Sequence, residues 1–242
     1  MDLVFCMAGL YRRFREAGYI EAKFLLPWHG RPLLASIVEA MLVGEAFDRV
    51  VLIANERDVP VRDRILEAVR PAGVGAEDLV FIGDTDGQAS TAALAVEQLE
   101  QRSASPDRRV VFHNIDTLII GRDWNAVGEL LTRCDGWIDT FSADTPDYSY
   151  VAVDAAQRVT AIQEKEVISP HATTGCYAFA DRERFHAEAG RCGRSGNERY
   201  ISDVYAAMVR AGADIRAGLP QPQYQTLIFG TPAEYEALTG AR

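Results

Sequence analysis

Short, continuous apolar runs of strand length alternate with segments of helical period through the first 117 residues, and this alternation restricts the fold more than any other feature. Leu3 to Cys6, Val50 to Ala54, Leu79 to Ile82 and Val110 to Phe112 lack the polar alternation of a half-exposed strand, so each is expected to be buried on both faces of a parallel sheet. Between them, Leu33, Ile37 and Met41, with Leu34, Val38 and Leu42, recur at steps of four. That spacing predicts a helix opening at Pro32 and ending near Gly44. Further helices are expected over about 61–69 and 90–101, the second capped by Ser90 or Thr91. Strand and helix in alternation give a parallel sheet with right-handed crossovers.

The second half reads differently. Trp137–Phe141, Ser149–Val153 and Arg158–Gln163 are short runs joined by polar turns, an antiparallel addition to the sheet. Thr174–Phe179 is a further strand, and Asp181 opens a helix. Residues 191–197 form a glycine-rich charged loop expected to be mobile. Ile201, Val204, Tyr205 and Met208 mark another helix. Strands at Ile215 and Thr226–Phe229 follow, and Gly230-Thr231-Pro232 begins the last helix. With no repeat or linker, the expectation is one domain over 1–242, split into halves at about 122. The 242 residues, 48% of them hydrophobic, suffice for a large core.

Charge narrows the partners. A net charge of −10 and a pI near 4.9 argue against a nucleic-acid surface, which needs a basic face. No run is long enough to insert in a bilayer, and the apolar stretch after Asp2 is too short for a signal peptide, so a cytoplasmic location is expected. The four cysteines form no CxxC pair, and Cys6 and Cys176 read as buried free thiols. Against this acidic background Arg12, Arg13 and Arg15, with Lys23 beyond them, stand out after the Ala8-Gly9 turn. A strand, a small-residue turn and a cluster of cations suit a polyphosphate.

On parallel sheets ligands bind beyond the carboxyl ends of the strands, where that loop, the Gly87-Gln88 turn and Asp116 would converge. Asp116 suits magnesium, which takes one or two carboxylates and fills its sphere with phosphate and water; it could equally cap the following turn. Gln88 could read a base edge or cap its helix. Glu164-Lys165 places an acid and a base at the same rim, or forms an exposed strand end. The four histidines lack metal-ligand spacing, His113 being the one nearest Asp116.

These pieces, taken in order, resemble the sugar-phosphate nucleotidyltransferases, the NDP-sugar pyrophosphorylase-like group with a Rossmann-like, GT-A-type α/β fold: a mixed, mostly parallel central sheet flanked by helices. The resemblance rests on Met7-Ala8-Gly9 with Arg13-Phe14 and Lys23, then Gly87-Gln88, Asp116, Glu164-Lys165, Thr174-Gly175-Cys176-Tyr177, Ile201 to Tyr205 and Gly230-Thr231-Pro232. It implies transfer of a nucleotidyl group from a nucleoside triphosphate to a small phosphorylated acceptor, with Mg2+ as cofactor and a role in surface-polysaccharide supply such as capsule. Ala8, Gly9, Leu10, Gly87 and Gln88 would hold the nucleotide. Arg13 and Lys23 match the catalytic cations, Asp116 the catalytic and metal-binding aspartate, and Glu164, Lys165, Thr174 and Gly175 the acceptor site. Relatives are often dimers or tetramers, so a homo-oligomer is also expected.

Three positions depart from the family pattern. Tyr11 replaces the second glycine of the phosphate loop, so the backbone path there is expected to differ or to be partly blocked. Ile228 stands where a second metal-binding aspartate is common, and Ser149 where a substrate-contacting glycine is common. The departures raise an alternative: a catalytically silent nucleotide- or sugar-nucleotide-binding subunit of the same fold. A glycosyltransferase ranks lower, because no Asp-x-Asp lies near Asp116.

Overall fold

The computed structural model describes residues 1–102, 106–192 and 198–240. In chain order the elements are β1 (Asp2–Met7), α1 (Arg12–Glu16), β2 (Pro27–Trp28), β3 (Arg31–Pro32), α2 (Leu33–Met41), β4 (Arg49–Asn55), α3 (Arg62–Val69), β5 (Leu79–Ile82), α4 (Gln88–Arg102), β6 (Val110–Asn114) and β7 (Thr117–Ile120). There follow α5 (Trp124–Leu130), β8 (Gly136–Ser142), β9 (Ser149–Val153), β10 (Val159–Glu164), β11 (His171–Phe179), α6 (Arg182–Arg191), α7 (Ile201–Arg210), β12 (Ile215–Gly218), β13 (Gln225–Ile228) and α8 (Pro232–Thr239).

The nine-stranded sheet runs β10-β9-β11-β6-β1-β4-β5, with β8 pairing β11 and β12. β6, β1, β4 and β5 are mutually parallel, whereas β11 lies antiparallel to β6 and β10 antiparallel to β9. The mixed, mostly parallel α/β sheet expected from the sequence is therefore the one observed. Leu3, Val4 and Phe5 of β1 are wholly buried because helices cover both faces. One core packs α2, α3, α5 and α8 against the sheet, and the other packs α4, α6 and α7 on the opposite face.

The differences from the sequence reading lie at element ends and in short pieces. Arg12–Glu16, expected as loop, is a short helix in which only Phe14 is buried; one apolar residue gives no period to read. Pro32 ends β3 and precedes the first turn of α2 rather than occupying it, and α2 stops before Gly44. α4 starts at Gln88, two residues before the expected cap, because Ser90 Oγ bonds Asp86 and the turn is held from upstream. β7, unforeseen, pairs with β13 in a separate two-stranded sheet. The last helix is as expected: Pro232 follows Thr231, whose hydroxyl accepts from the Glu234 N–H while the Glu234 carboxylate accepts from the Thr231 N–H at 2.7 Å. Cys176 is buried and Cys6 partly exposed, both free. Of the loop expected over 191–197, residues 193–197 lie outside the described residues. Among the described residues no helix is long and apolar enough to cross a membrane.

Candidate functional site

The site grows from the strand ends. β1 runs out at Met7, and the chain turns through buried Ala8 and exposed Gly9; a Cβ at Gly9 would meet nothing within 4 Å. Past α1, a short 3-10 turn over Lys23–Leu25 buries Phe24 and Leu25, which fixes Lys23 between them and solvent. Lys23 Nζ then meets Asp116 Oδ2 at 2.5 Å, both side chains only partly exposed. Asp116 sits between β6 and β7. Burial raises its pKa, but the charge and hydrogen bond of Lys23 outweigh this, so the net shift is downward and the carboxylate is held ionised.

Gly230, opposite, is open enough that a Cβ would lie 3.6 Å from Asp116 Oδ2 and 3.4 Å from Glu234 Oε2. The Phe229 N–H donates to the Asp116 carbonyl at 2.7 Å, tying the start of α8 to the same corner. Tyr148 donates to the other oxygen of Glu234.

A second group forms around Asn114, the last residue of β6. Gln88 Nε2 donates to Asn114 Oδ1. Gly175 backs onto the same side chain: a Cβ there would come 1.9 Å from Asn114 Nδ2, and its φ of +80° suits glycine. Register explains the meeting, since Cys176 of β11 faces His113 of β6. Gly87, at φ +141°, lies against the backbone of Arg199, and the Arg199 N–H donates to the Asp86 carbonyl at 2.8 Å. The turn before α4 is thereby stitched to the segment that leads into α7.

That segment carries the third group. Glu164 Oε2 accepts from Ser149 Oγ and, at 2.9 Å, from Ser202 Oγ. Lys165, at φ +55°, donates its backbone N–H to the Tyr148 carbonyl, and its Nζ reaches Tyr200 Oη at 3.1 Å.

The expected residues fall into place unequally. Lys23 pairs with Asp116, Gln88 and Gly175 both meet Asn114, and Glu164 and Lys165 bond Ser202 and Tyr200. Thr174, buried, accepts from the Cys176 N–H at 3.3 Å. Leu10 is half-buried in the loop. Arg13 is exposed on α1 and, among the described residues, contacts neither Lys23 nor Asp116. Tyr11, which stands in place of the family's second glycine, is buried at the start of α1. It adopts the left-handed conformation that glycine favours, φ 52° and ψ 29°, and its side chain packs in the core. Asn114, Tyr148 and Glu234 were not singled out from sequence, and Ser202 only as part of the Ile201 to Tyr205 run. Of these only Asn114 had a local signal, two residues before Asp116 at a strand end.

Among the described residues no three His, Cys, Asp or Glu side chains cluster as a metal site. Asp116 offers one hard oxygen donor in reach of solvent. This fits an ion that keeps its waters and shares a ligand's phosphate oxygens, and does not fit a closed protein cage.

No family model matches the sequence, and no curated protein matches it. Solved structures do. A nucleoside-diphosphate-sugar pyrophosphorylase from Vibrio cholerae RC9 superposes with a TM-score of 0.83 at 24% identity, covering 99% of this chain and 100% of that one. A UDP-glucose pyrophosphorylase complexed with UDP-glucose gives 0.78 at 16% identity, over 99% and 97%. A putative glucose-1-phosphate thymidylyltransferase from Bacillus anthracis gives 0.77 at 16%, over 99% and 93%. The chain has the fold of the sugar nucleotidyltransferases. Each superposition spans nearly the whole of both chains, so the antiparallel second half belongs to that likeness as much as the parallel first half.

Proposed function

We propose that the protein is a nucleotidyltransferase that moves a nucleoside monophosphate from a nucleoside triphosphate to a small phosphorylated acceptor, a sugar 1-phosphate in the first instance. An acceptor phosphate oxygen attacks the α-phosphorus in line. The bond to the bridging oxygen breaks, and pyrophosphate leaves with the electron pair. No covalent step on the protein is needed, so catalysis is positioning and charge stabilisation.

The observation that carries this reading is the Lys23–Asp116 pair, 93 residues apart in sequence and 2.5 Å apart in space, the lysine in the 3-10 turn past α1 and the aspartate just beyond β6. In this reading Lys23 stabilises charge gathering on the α-phosphate, and Arg13, free of any carboxylate partner among the described residues, swings to the leaving pyrophosphate. Ala8, Gly9, Leu10 and Gly87 bring backbone close to the nucleotide, and Gln88, oriented by Asn114, faces its base. Glu164, Lys165, Thr174 and Gly175 hold the acceptor. Mg2+ when bound would be held by Asp116 and would neutralise phosphate charge.

The silent-subunit alternative rests on Ile228, an apolar side chain on β13 that offers no second carboxylate near Asp116. One assay separates the two: pyrophosphate release from each nucleoside triphosphate against a panel of phosphorylated sugars and small alcohols, with magnesium present or chelated. Turnover with one pair supports transfer. Tight nucleotide binding with no turnover across the panel supports the alternative. A supply role for capsule or other surface polysaccharide, a cytoplasmic location and a homo-oligomeric state belong to the same proposal and are tested by gene deletion, fractionation and light scattering.

A further inference from the structure

The inference concerns Tyr11 and rests on the nucleotidyl-transfer reading for its functional consequence. Tyr11 is only 7% exposed, and its ring packs edge-on against Phe24, the neighbour of Lys23, with centroids 5.6 Å apart. Its hydroxyl lies 2.8 Å from the Met7 carbonyl oxygen at the end of β1 and 3.0 Å from Asp58 Oδ2. Asp58, 3% exposed, belongs to the 3-10 turn Glu56–Val61 that follows β4. One side chain thus ties together the strand that launches the loop, the turn that carries Lys23 and the turn beyond β4.

A proton count decides how. A phenol has one proton, and the Met7 carbonyl can only accept. If Asp58 is ionised, the phenol must choose between two acceptors, and a buried lone pair is left facing another lone pair. If Asp58 is protonated, it donates to the Tyr11 oxygen, which donates to Met7, and every buried atom in the relay is satisfied. We propose that Tyr11 and a protonated Asp58 form a positioning brace that fixes the 8–11 loop and the Lys23 turn, so that triphosphate affinity depends on the proton Asp58 holds. The brace also explains how a tyrosine is tolerated at φ 52°, a conformation unfavourable to a residue with a Cβ.

The groups facing Asp58 are Tyr11 and Arg15 from the α1 segment, with Arg57 and the backbone of Asn55 from its own side. Burial raises the Asp58 pKa and prevails over the charges of Arg57 and Arg15 and the Asn55 backbone, which lower it. Arg57 is drawn outward to Asn55 and Asp84. A carboxyl raised in the folded state supports the structure while protonated, and that support is lost as pH rises through its folded value. Triphosphate affinity is therefore expected to weaken with rising pH.

The test compares wild type with Tyr11→Phe, Asp58→Asn and Asp58→Ala. The readouts are amide hydrogen exchange of residues 8–25 without ligand, and calorimetric binding of the four magnesium ribonucleoside triphosphates from pH 5 to 8. Tyr11→Phe and Asp58→Ala are expected to speed exchange and weaken binding about five- to tenfold, the size of one neutral hydrogen bond. Asp58→Asn, whose amide donates as the protonated acid does, should keep both properties and lose the pH dependence. Should Asp58→Ala fail to fold, Tyr11→Phe, one oxygen lighter, carries the test. Wild-type exchange in Tyr11→Phe, or Asp58→Asn behaving as Asp58→Ala, overturns the brace. Absence of any triphosphate binding by the wild type overturns instead the reading on which its functional consequence depends.

Discussion

At the scale of single residues, Lys23, Asp116 and Arg13 make different demands on the structure. Lys23 and Asp116 neutralise each other in a partly buried corner, so removing either leaves the other unpaired. Lys23→Ala and Asp116→Ala should each lower pyrophosphate release on the order of 100-fold or more, since each removes a preorganised charge partner. Near-wild-type turnover in a folded variant would cancel that assignment. Arg13 is exposed, and no carboxylate among the described residues pairs with it, so Arg13→Ala should change stability by no more than about 0.5 kcal/mol. If it binds the leaving group, turnover should nonetheless fall on the order of 100-fold. A denaturant titration beside the rate assay makes the separation; a loss of stability that tracks the loss of rate would instead make Arg13 a structural residue.

At the scale of elements, β11 carries an irregularity beside the candidate site. Its register against β8 shifts between Thr173 and Tyr177, and Gly175 sits inside that irregularity. A methyl at Gly175 would strike the Asn114 amide, which in turn orients Gln88. Gly175→Ala is therefore expected to destabilise the fold by about 1–3 kcal/mol, from left-handed strain and overpacking. Truncating the obstacle should recover part of this, so the Asn114→Ala, Gly175→Ala double variant should be more stable than the sum of the two losses, as a double-mutant cycle in urea would report. Additive losses would mean that the two residues do not press on each other. The same elements show what a sequence can reveal. β1, β4, β5 and β6 were legible because burial on both faces leaves unbroken apolar runs, and α2 because nine residues suffice to display a period. α1 was not, with one buried side chain in five, nor was the pairing of β7 with β13, whose partners lie about a hundred residues apart. Within the site, Lys23, Gln88 and Asp116 stood at strand or turn ends where composition points to function. Tyr148 and Ser202 matter through contacts across the fold, which no local spacing encodes.

At the scale of the whole molecule, two buried titratable groups flank β11 and pull stability in opposite directions. His113, on β6, is wholly buried. Burial lowers its pKa to about 4, against the opposing pull of the Thr117 carbonyl and Asp116. Asp139, on β8, is wholly buried as well. Burial raises it to about 6, although Arg122, Thr174 and the Thr140 backbone favour its ionised form. As pH falls from 6.5 towards 4, the unfolded chain takes up a proton at His113 that the native state refuses, so stability falls by about 1.4 kcal/mol per pH unit. As pH falls from about 6 towards the ordinary carboxylate value, the native state takes up a proton at Asp139 before the unfolded chain does, so stability rises at about the same rate. Between about pH 4 and 6 the two slopes oppose each other and nearly cancel. Replacing one group should therefore expose the other. Relative to the wild type, Asp139→Asn is expected to lose stability on acidification through this window, and His113→Gln to gain it. Urea midpoints at half-unit steps across that range measure all three. Parallel profiles in the three proteins would mean that these side chains titrate alike in the folded and unfolded states, and that the sheet's interior at β6 and β8 admits water.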